Sequence, residues 1–448
     1  MKKVITYGTY DLLHYGHICL LKRAKQLGDY LIVGVTADSF DKNRGKINVQ
    51  QSLMERIEAI RTTEIADEII IEEYEGQKID DIRRLGIDIF AIGSDWKGKF
   101  DYLKDFCEVV YLERTQGISS SDLRIERYGL RFGLAGGTSI LEKYRQECYY
   151  VNGISVEGIF SNDIFCIKQA EQERVKVFKK YSELLETVEA VYILASPLEQ
   201  YCYIKEALLA GKHVLCESPV ALKLEQCREL FQMAKDRNLI LMDAIKTAYA
   251  TAFNRLLLLA KSGAIGEIIS VDATCTSLNE KQTKSDEELL KGWNSTLAWG
   301  PTALLPIFQI LGNHYIKKQI ISRYLDKEKT FDAFTRIDFV YPHAVASLKI
   351  GKGVKSEGEL IISGTKGYFY VPAPWWKTDY FELRFENPEQ NKRYFYQLDG
   401  EGIRFELVAF AKAIKTGKDN SSYISTETSE NIASIIESCI YKKDIIVI

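Results

Sequence analysis

Short apolar runs alternate with amphipathic stretches through the first 112 residues, and that rhythm restricts the chain to very few folds. Val4–Tyr7, Tyr30–Val35, Glu68–Ile71, Ile87–Ile92 and Val109–Leu112 read as strands, with Cys19–Leu27 and Leu53–Arg61 as helices between them. Strands that alternate with helices form a parallel sheet covered on its faces. Ser121–Arg127, polar and charged, breaks the rhythm as a short helix or linker. At Leu130 it restarts with LRFGLAGGTSILEKY, a strand, a glycine-rich turn and a helix, followed by strands at Ile154–Phe160, Ala190–Leu194, His213–Cys216 and Leu239–Met242. From about Ile268 the pattern changes. Alternating runs at Ala333–Phe339, Ala344–Ile350, Gly358–Ile362, Gly367–Val371 and Phe381–Phe385 predict an antiparallel sheet with one solvated face. Phe405–Thr416 and Glu427–Tyr441 close the chain as helices.

A chain of 448 residues is too long for a single core. The expected boundaries are 1–128, 129–245 and 246–448, the first two being α/β and the last mixed. A net charge of −3 gives no reason to expect a nucleic-acid partner. The nine cysteines contain no CxxC pair and no metal-ligand spacing, and most lie in apolar runs as reduced thiols would. No protein-held metal is expected from them. The apolar run after MKK is too short for a secretion signal, and no run is long enough to span a bilayer. These features predict a cytoplasmic protein that does not engage a membrane.

The stretch GTYDLLHYGH (8–17) holds two of the five histidines, three residues apart, directly behind the first strand. Such a position lies at the carboxyl edge of the sheet, where open α/β folds bind ligands. A helix starting there attracts phosphate through its unpaired N–H groups. His14 and His17, at i and i+3, share a helix face. Two imidazoles beside a triphosphate can donate to oxygens that gain charge as a phosphoryl bond breaks; a metal pair or two surface histidines is the alternative. RTQGISSS (114–121) supplies a guanidinium, hydroxyls and a glycine before a short helix, a second phosphate-holding pattern.

On these residues the first 125 or so positions resemble the glycerol-3-phosphate cytidylyltransferase family, which carries GTFDLLHxGH and RTEGIST segments. Gly93-Ser94-Asp95-Trp96, with GKFD shortly after, completes the resemblance. It implies a Rossmann-like nucleotidyltransferase domain in which His14, His17, Lys46 and Arg114 are the catalytic set. Thr9, Tyr10 and Asp11 would line the nucleotide site, Asp95 and Trp96 the acceptor side, and Thr115, Ser119 and Ser120 the phosphates. The substrates implied are CTP and a polyol phosphate, most often glycerol 3-phosphate, with Mg²⁺ accompanying the triphosphate. Tyr10 replaces the family's phenylalanine, Gln116 its glutamate, and serines some of its threonines; none of these removes a proposed catalytic group.

The second glycine turn runs G-x-x-G-G rather than GxGxxG, through Gly133, Gly136 and Gly137 to Thr138. Together with AVYILASPLEQYCYIKEALLAGKHVLCESPVAL (190–222), LMDAIKTAYATAFNRL (241–256), SGAIGEI (262–268) and GYFYVPAPWW (367–376), it resembles the Gfo/Idh/MocA oxidoreductase family across 130–448. That resemblance implies a dinucleotide-binding Rossmann domain, a mixed α+β sheet domain, and an NAD(P) site made by Gly133, Gly136, Gly137, Thr138 and Lys246. The chemistry departs from the family. Ser218 stands where its lysine acid/base stands, and Pro306 falls at the place of its later aspartate. Lys246 is the one ionisable group left near the expected site, as a rebuilt base or as a salt-bridge lysine. Ser161-Asn162-Asp163 ends the second strand without the acid that selects NAD. Trp375-Trp376 reads as an anchor of the sheet face in preference to a stacking platform, and His213 as structural.

The resulting expectation is a cytidylyltransferase fused to an oxidoreductase-like region. That region is an active reductase supplying the polyol, or a non-catalytic dimerisation or docking module. Both resemblances imply a homodimer.

Overall fold

The computed structural model describes residues 1–38, 49, 51–74, 76–113, 129–137, 141–151, 153–278, 294–327, 329–396, 398–417 and 423–448. Lys46, Arg114, Thr115, Ser119, Ser120 and Thr138 lie outside these, as does Ser121–Arg127. The described residues divide into two compact units, Met1–Gly129 with Tyr149–Ser155, and Leu130–Cys148 with Val156–Ile448.

The first unit is a five-stranded parallel sheet built from β1 (Lys3–Gly8), β2 (Tyr30–Thr36), β3 (Glu68–Glu72), β4 (Ile89–Gly93) and β5 (Glu108–Leu112) in the order β3-β2-β1-β4-β5. Successive residues of β1 face opposite sides. Val4 joins a core with Leu21, Leu31, Val33 and Ile57, whereas Ile5 joins one with Ile32, Ile82 and Phe90. The order reverses between β1 and β4, so their carboxyl ends diverge and leave a crevice.

The second unit opens with six strands: β6 (Leu130–Gly136), β7 (Ile154–Phe160), β8 (Val177–Phe178), β9 (Ala190–Leu194), β10 (His213–Glu217) and β11 (Leu241–Ala244). They form a sheet in the order β11-β10-β9-β6-β7-β8, with its reversal at β6. A ten-stranded sheet follows: β12 (Ile268–Leu278), β13 (Lys317–Tyr324), β14 (Asp332–Val340), β15 (Val345–Gly351), β16 (Gly353–Val354), β17 (Leu360–Gly364), β18 (Gly367–Val371), β19 (Tyr380–Phe385), β20 (Lys392–Phe395) and β21 (Ile445–Val447).

This sheet corrects the antiparallel expectation. β12 pairs parallel with β15, and β13 parallel with β21, while the hairpin neighbours are antiparallel. Local alternation fixes which side of a strand is buried; it carries no information about the direction of a partner brought back from far along the chain. The helix Ser295–Leu311 lies between β12 and β13 in the chain and is largely buried in spite of Pro301 and Pro306 within it. No helix among the described residues is long and apolar enough to cross a membrane.

Candidate functional site

The first helix runs Tyr15–Lys25, starting within the GTYDLLHYGH stretch as expected of a helix fed directly by the first strand. A cap fixes its start. His14 has an extended backbone, and its Nδ1 accepts from the Gly16 N–H at 3.0 Å. A neutral imidazole that accepts at Nδ1 carries its proton on Nε2, so the same cap sets which nitrogen can donate. His17, one turn on, stacks against His14 with ring centroids 3.9 Å apart and planes at 25°. Tyr10 meets His17 edge-on at 5.4 Å.

The loop between β1 and this helix is strained. Tyr10 and Leu12 both have left-handed backbones, at φ 53° and 49°. Two residues that motif reading misses hold it. The Gln51 N–H donates to Asp11 Oδ1 at 3.0 Å, and Gln51 Oε1 accepts from the Leu12 N–H at 2.7 Å. Arg56, fully buried, donates through Nη1 to the carbonyls of Thr9 at 2.6 Å and Thr36 at 2.9 Å. Its Nε reaches the Gln51 carbonyl at 3.2 Å, and its Nη2 pairs with Asp38. The helix carrying Arg56, Leu53–Arg61, is fixed by a Ser52/Glu55 capping box. A signal for Arg56 exists in the sequence: with Leu53, Ile57 and Ile60 it falls on an otherwise apolar helical stripe.

Thr9, Asp11, His14 and His17 thus lie at the carboxyl end of β1. Asp95 and Trp96 lie in the turn Ser94–Trp96 that follows β4, the neighbouring strand across the reversal. Tyr10 is placed differently from its expected substrate-binding role. At 2% exposure its side chain is part of the core, where it backs His17. Asp11 is also buried, at 1%. Glu113 follows β5, and its carbonyl accepts from Arg23 of the first helix at 2.7 Å. Among the described residues no group of three or more His, Cys, Asp or Glu is placed to hold a metal.

In the second unit Gly136 (φ 154°) would drive a Cβ to 2.2 Å from the Leu194 carbonyl, so only glycine lets β6 and β9 approach there. At Gly133 a Cβ would instead come within 2.9 Å of the Leu184 side chain. Gly137 has more room; the nearest atom to a Cβ there is that of Asp163, at 3.7 Å. Asp163 is itself the cap of the helix Ile164–Gln172, accepting from the N–H groups of Phe165 and Cys166.

A cavity of about 450 Å³ opens at the carboxyl ends of β9, β10 and β11, lined among others by Glu217, Ser218, Lys246, Trp299, Lys352 and Trp376. Lys246 Nζ lies 3.8 Å from Glu401, an ion pair of the kind its structural reading anticipates. The helix with Pro306 presents Ala298, Trp299, Pro301 and Thr302 to the cavity, none of them ionisable. Trp375 is fully buried and its indole donates to the Thr274 carbonyl at 3.0 Å, as an anchor does. Its neighbour Trp376 faces the cavity instead. His213 is structural, its Nδ1 accepting from the Ile240 N–H at 2.9 Å.

Glu217, which lines this cavity, belongs with the buried Asp243 and Glu406 to an acidic cluster that motif reading does not reveal. Tyr144 donates to Glu217 at 2.9 Å, Tyr192 donates to Glu406 at 2.6 Å, and the two tyrosine rings pack edge to face at 4.9 Å. Asp243 accepts from Ser429 at 2.8 Å. Burial pushes the Glu217 carboxyl up to about 7, with Lys246 and Tyr144 pulling it back, and pushes Asp243 up to about 6. A carboxyl raised on folding binds its proton more tightly in the folded chain than in the unfolded one. Between its unfolded value near 4.5 and about 7, stability therefore rises as pH falls. Glu217→Gln is expected to flatten the rise of the second unit's melting temperature between pH 7 and pH 5; an unchanged slope would show that Glu217 does not titrate there.

The family model for cytidylyltransferase-like proteins matches residues 5–126, and that for the oxidoreductase family with an NAD-binding Rossmann fold matches 130–244. Glycerol-3-phosphate cytidylyltransferase from Bacillus subtilis is 53% identical over 130 residues, 29% of this chain and 100% of that protein. The Staphylococcus aureus protein of the same name is 50% identical over 133 residues, 29% of this chain and 97% of its own length. Trans-1,2-dihydrobenzene-1,2-diol dehydrogenase from Oryctolagus cuniculus is 27% identical over 273 residues, 58% of this chain and 82% of that one. Among solved structures, a 3-ketoreductase from Actinomadura kijaniata in complex with NADP and TDP-benzene superposes with a TM-score of 0.63 at 20% identity. It covers 71% of this chain and 99% of its own, a likeness of fold. Through its first unit this chain belongs to the glycerol-3-phosphate cytidylyltransferase family, a nucleotidyltransferase joined in one polypeptide to a region of Gfo/Idh/MocA oxidoreductase fold.

Proposed function

We propose that the first unit transfers CMP from CTP to glycerol 3-phosphate, releasing pyrophosphate and giving CDP-glycerol. The observation that carries this reading is the stacked His14–His17 pair at the N-terminus of the Tyr15–Lys25 helix, beside the β1/β4 reversal. An oxygen of the acceptor phosphate forms the new bond to the α-phosphorus as the bond to the departing pyrophosphate breaks. Negative charge gathers on the bridging and non-bridging oxygens, and N–H groups aimed at those atoms stabilise it. His14 donates from Nε2 because its cap occupies Nδ1; the helix N-terminus adds unpaired backbone N–H groups. Asp95 and Trp96 shape the acceptor side, and Lys46, Arg114, Thr115, Ser119 and Ser120 bind the nucleotide phosphates in this reading.

Mg²⁺ belongs to the same proposal as an escort of the triphosphate, whose charge it offsets. In such sites the ion keeps waters and phosphate oxygens and needs only one or two carboxylates. Asp11, the carboxylate of the loop, is buried and accepts from Gln51 at Oδ1, so in this reading the triphosphate's own oxygens hold the ion. The second unit holds an NAD(P) dinucleotide at Gly133, Gly136 and Gly137, with the pyrophosphate over the turn. The open position at Gly137 supports this.

The test uses the full chain with CTP, Mg²⁺ and a series of polyol phosphates. Pyrophosphate release with glycerol 3-phosphate is expected, and no release with any of them would sink the reading. The chain acts as a homodimer in this proposal. Exposed Val340 and Val345, paired across β14 and β15, are apolar surface of the kind a partner covers. A monomeric mass by light scattering at micromolar concentration would refute that part.

A further inference from the structure

The cavity of the second unit has a built character that its missing catalytic lysine does not explain. Its volume of about 450 Å³ falls within the ~300–1,000 Å³ of small-ligand pockets. One wall is aromatic. Trp299 and Trp376 lie with centroids 4.7 Å apart and planes at 53°. Both are fixed: the Trp299 indole donates to Ser277 at 3.2 Å, and the Trp376 carbonyl accepts from Thr247 at 2.9 Å.

The second observation is charge. Among the described residues, Lys246, Lys352 and Lys377 line the cavity with one carboxylate, that of Glu217. Glu401 nearby is shared by Lys143 at 2.5 Å, Lys377 at 2.6 Å and Lys246 at 3.8 Å, three cations on one anion. The described lining thus brings three lysines into a recess where a charged ligand is screened less than on an open surface.

We infer that this cavity binds the nucleoside-diphosphate ester of a polyol, with the base against the Trp299–Trp376 wall and the diphosphate toward Lys352 and Lys377. A ring on the tryptophans and a dianion on the lysines together exclude the simpler candidates. A polyol phosphate has no ring to stack, and an uncharged sugar leaves the lysines unused. The ligand is of the product class of the first unit, so the identity of its base and polyol rests on the cytidylyltransferase reading. In sequence of reactions, the second unit takes the compound that the first unit releases.

The experiment titrates synthetic CDP-glycerol into the full-length chain by calorimetry, with CDP, cytidine and glycerol 3-phosphate as separate arms. Two sites per chain are expected for CDP-glycerol. One of them should weaken by about tenfold in Lys352→Ala and again in Trp376→Ala, equivalent to ~1.4 kcal/mol for each change. Trp376→Phe, which keeps a ring, should retain most of the affinity and guards against a folding defect. A single site unaffected by either alanine variant would overturn the inference, as would glycerol 3-phosphate binding the cavity as tightly as CDP-glycerol. Because the ligand is supplied ready-made, failure here is separable from failure of pyrophosphate release, which tests the first unit alone.

Discussion

Replacing His14 or His17 by alanine lowers turnover by about 100-fold or more, while the affinity for CTP changes far less. The two rings stack at 3.9 Å at the start of the Tyr15–Lys25 helix. An N–H aimed at an oxygen that gains charge only as the bond breaks acts on the rate and not on the ground-state complex. The two variants should differ in a second respect. His14 also caps the helix, accepting from the Gly16 N–H, and losing a cap costs about 0.5–2 kcal/mol. His14→Ala should therefore lower the first unit's melting temperature, whereas His14→Asn should restore part of the stability without restoring turnover. Steady-state kinetics with equilibrium CTP binding on each variant checks this. Near wild-type turnover in either alanine variant would make these histidines structural.

Arg56→Ala should destabilise the first unit by on the order of 3–5 kcal/mol. The guanidinium is fully buried and donates to the carbonyls of Thr9, Thr36 and Gln51 as well as to Asp38. Without it those carbonyls lose their donors, and the left-handed turn at Tyr10 and Leu12 loses the post that holds it. Activity should fall with stability, since His14 and His17 stand directly after that turn. Arg56→Lys keeps the charge, but a single ammonium cannot reproduce a fork that bonds through Nε, Nη1 and Nη2, so it should recover only part of the loss. Urea unfolding followed on the first unit's transition, with turnover measured below its midpoint, separates the two effects. A midpoint unchanged in Arg56→Ala would mean the loop is held by Gln51 alone.

Much of this protein was legible in order along the chain. The five strands of the first sheet and all but β8 of the second follow from apolar runs alternating with amphipathic ones, because each run is short and bounded locally. The histidine stretch was legible because the end of a parallel strand is where such folds place their ligands, whatever the rest of the chain does. The loss of a lysine at Ser218 needs no structure to see.

What the sequence did not disclose depends on residues far apart in the chain. Arg56 and Glu406 each sit on an apolar helical stripe, beside Ile57 and Ile60 in one case and Leu407 and Phe410 in the other. A charge in such a position is readable as an anomaly, but its partner is not. Only folding brings Arg56 to the Thr9 carbonyl, and Tyr192 to Glu406 across 214 positions. The same holds for direction within the large sheet. The alternation of β12 and β15 is identical for parallel and antiparallel neighbours, and their pairing was settled by the return path of the chain. Trp375 and Trp376 are adjacent letters with opposite fates, one anchoring the sheet and one facing the cavity, because the turn that carries them directs successive side chains to different surroundings. Sequence determined most elements of the two parallel sheets and the family to which the first unit belongs. Burial, which pushes the Glu217 carboxyl up to about 7, was decided by the tertiary structure, since desolvation is a property of everything packed around a group and of no residue alone.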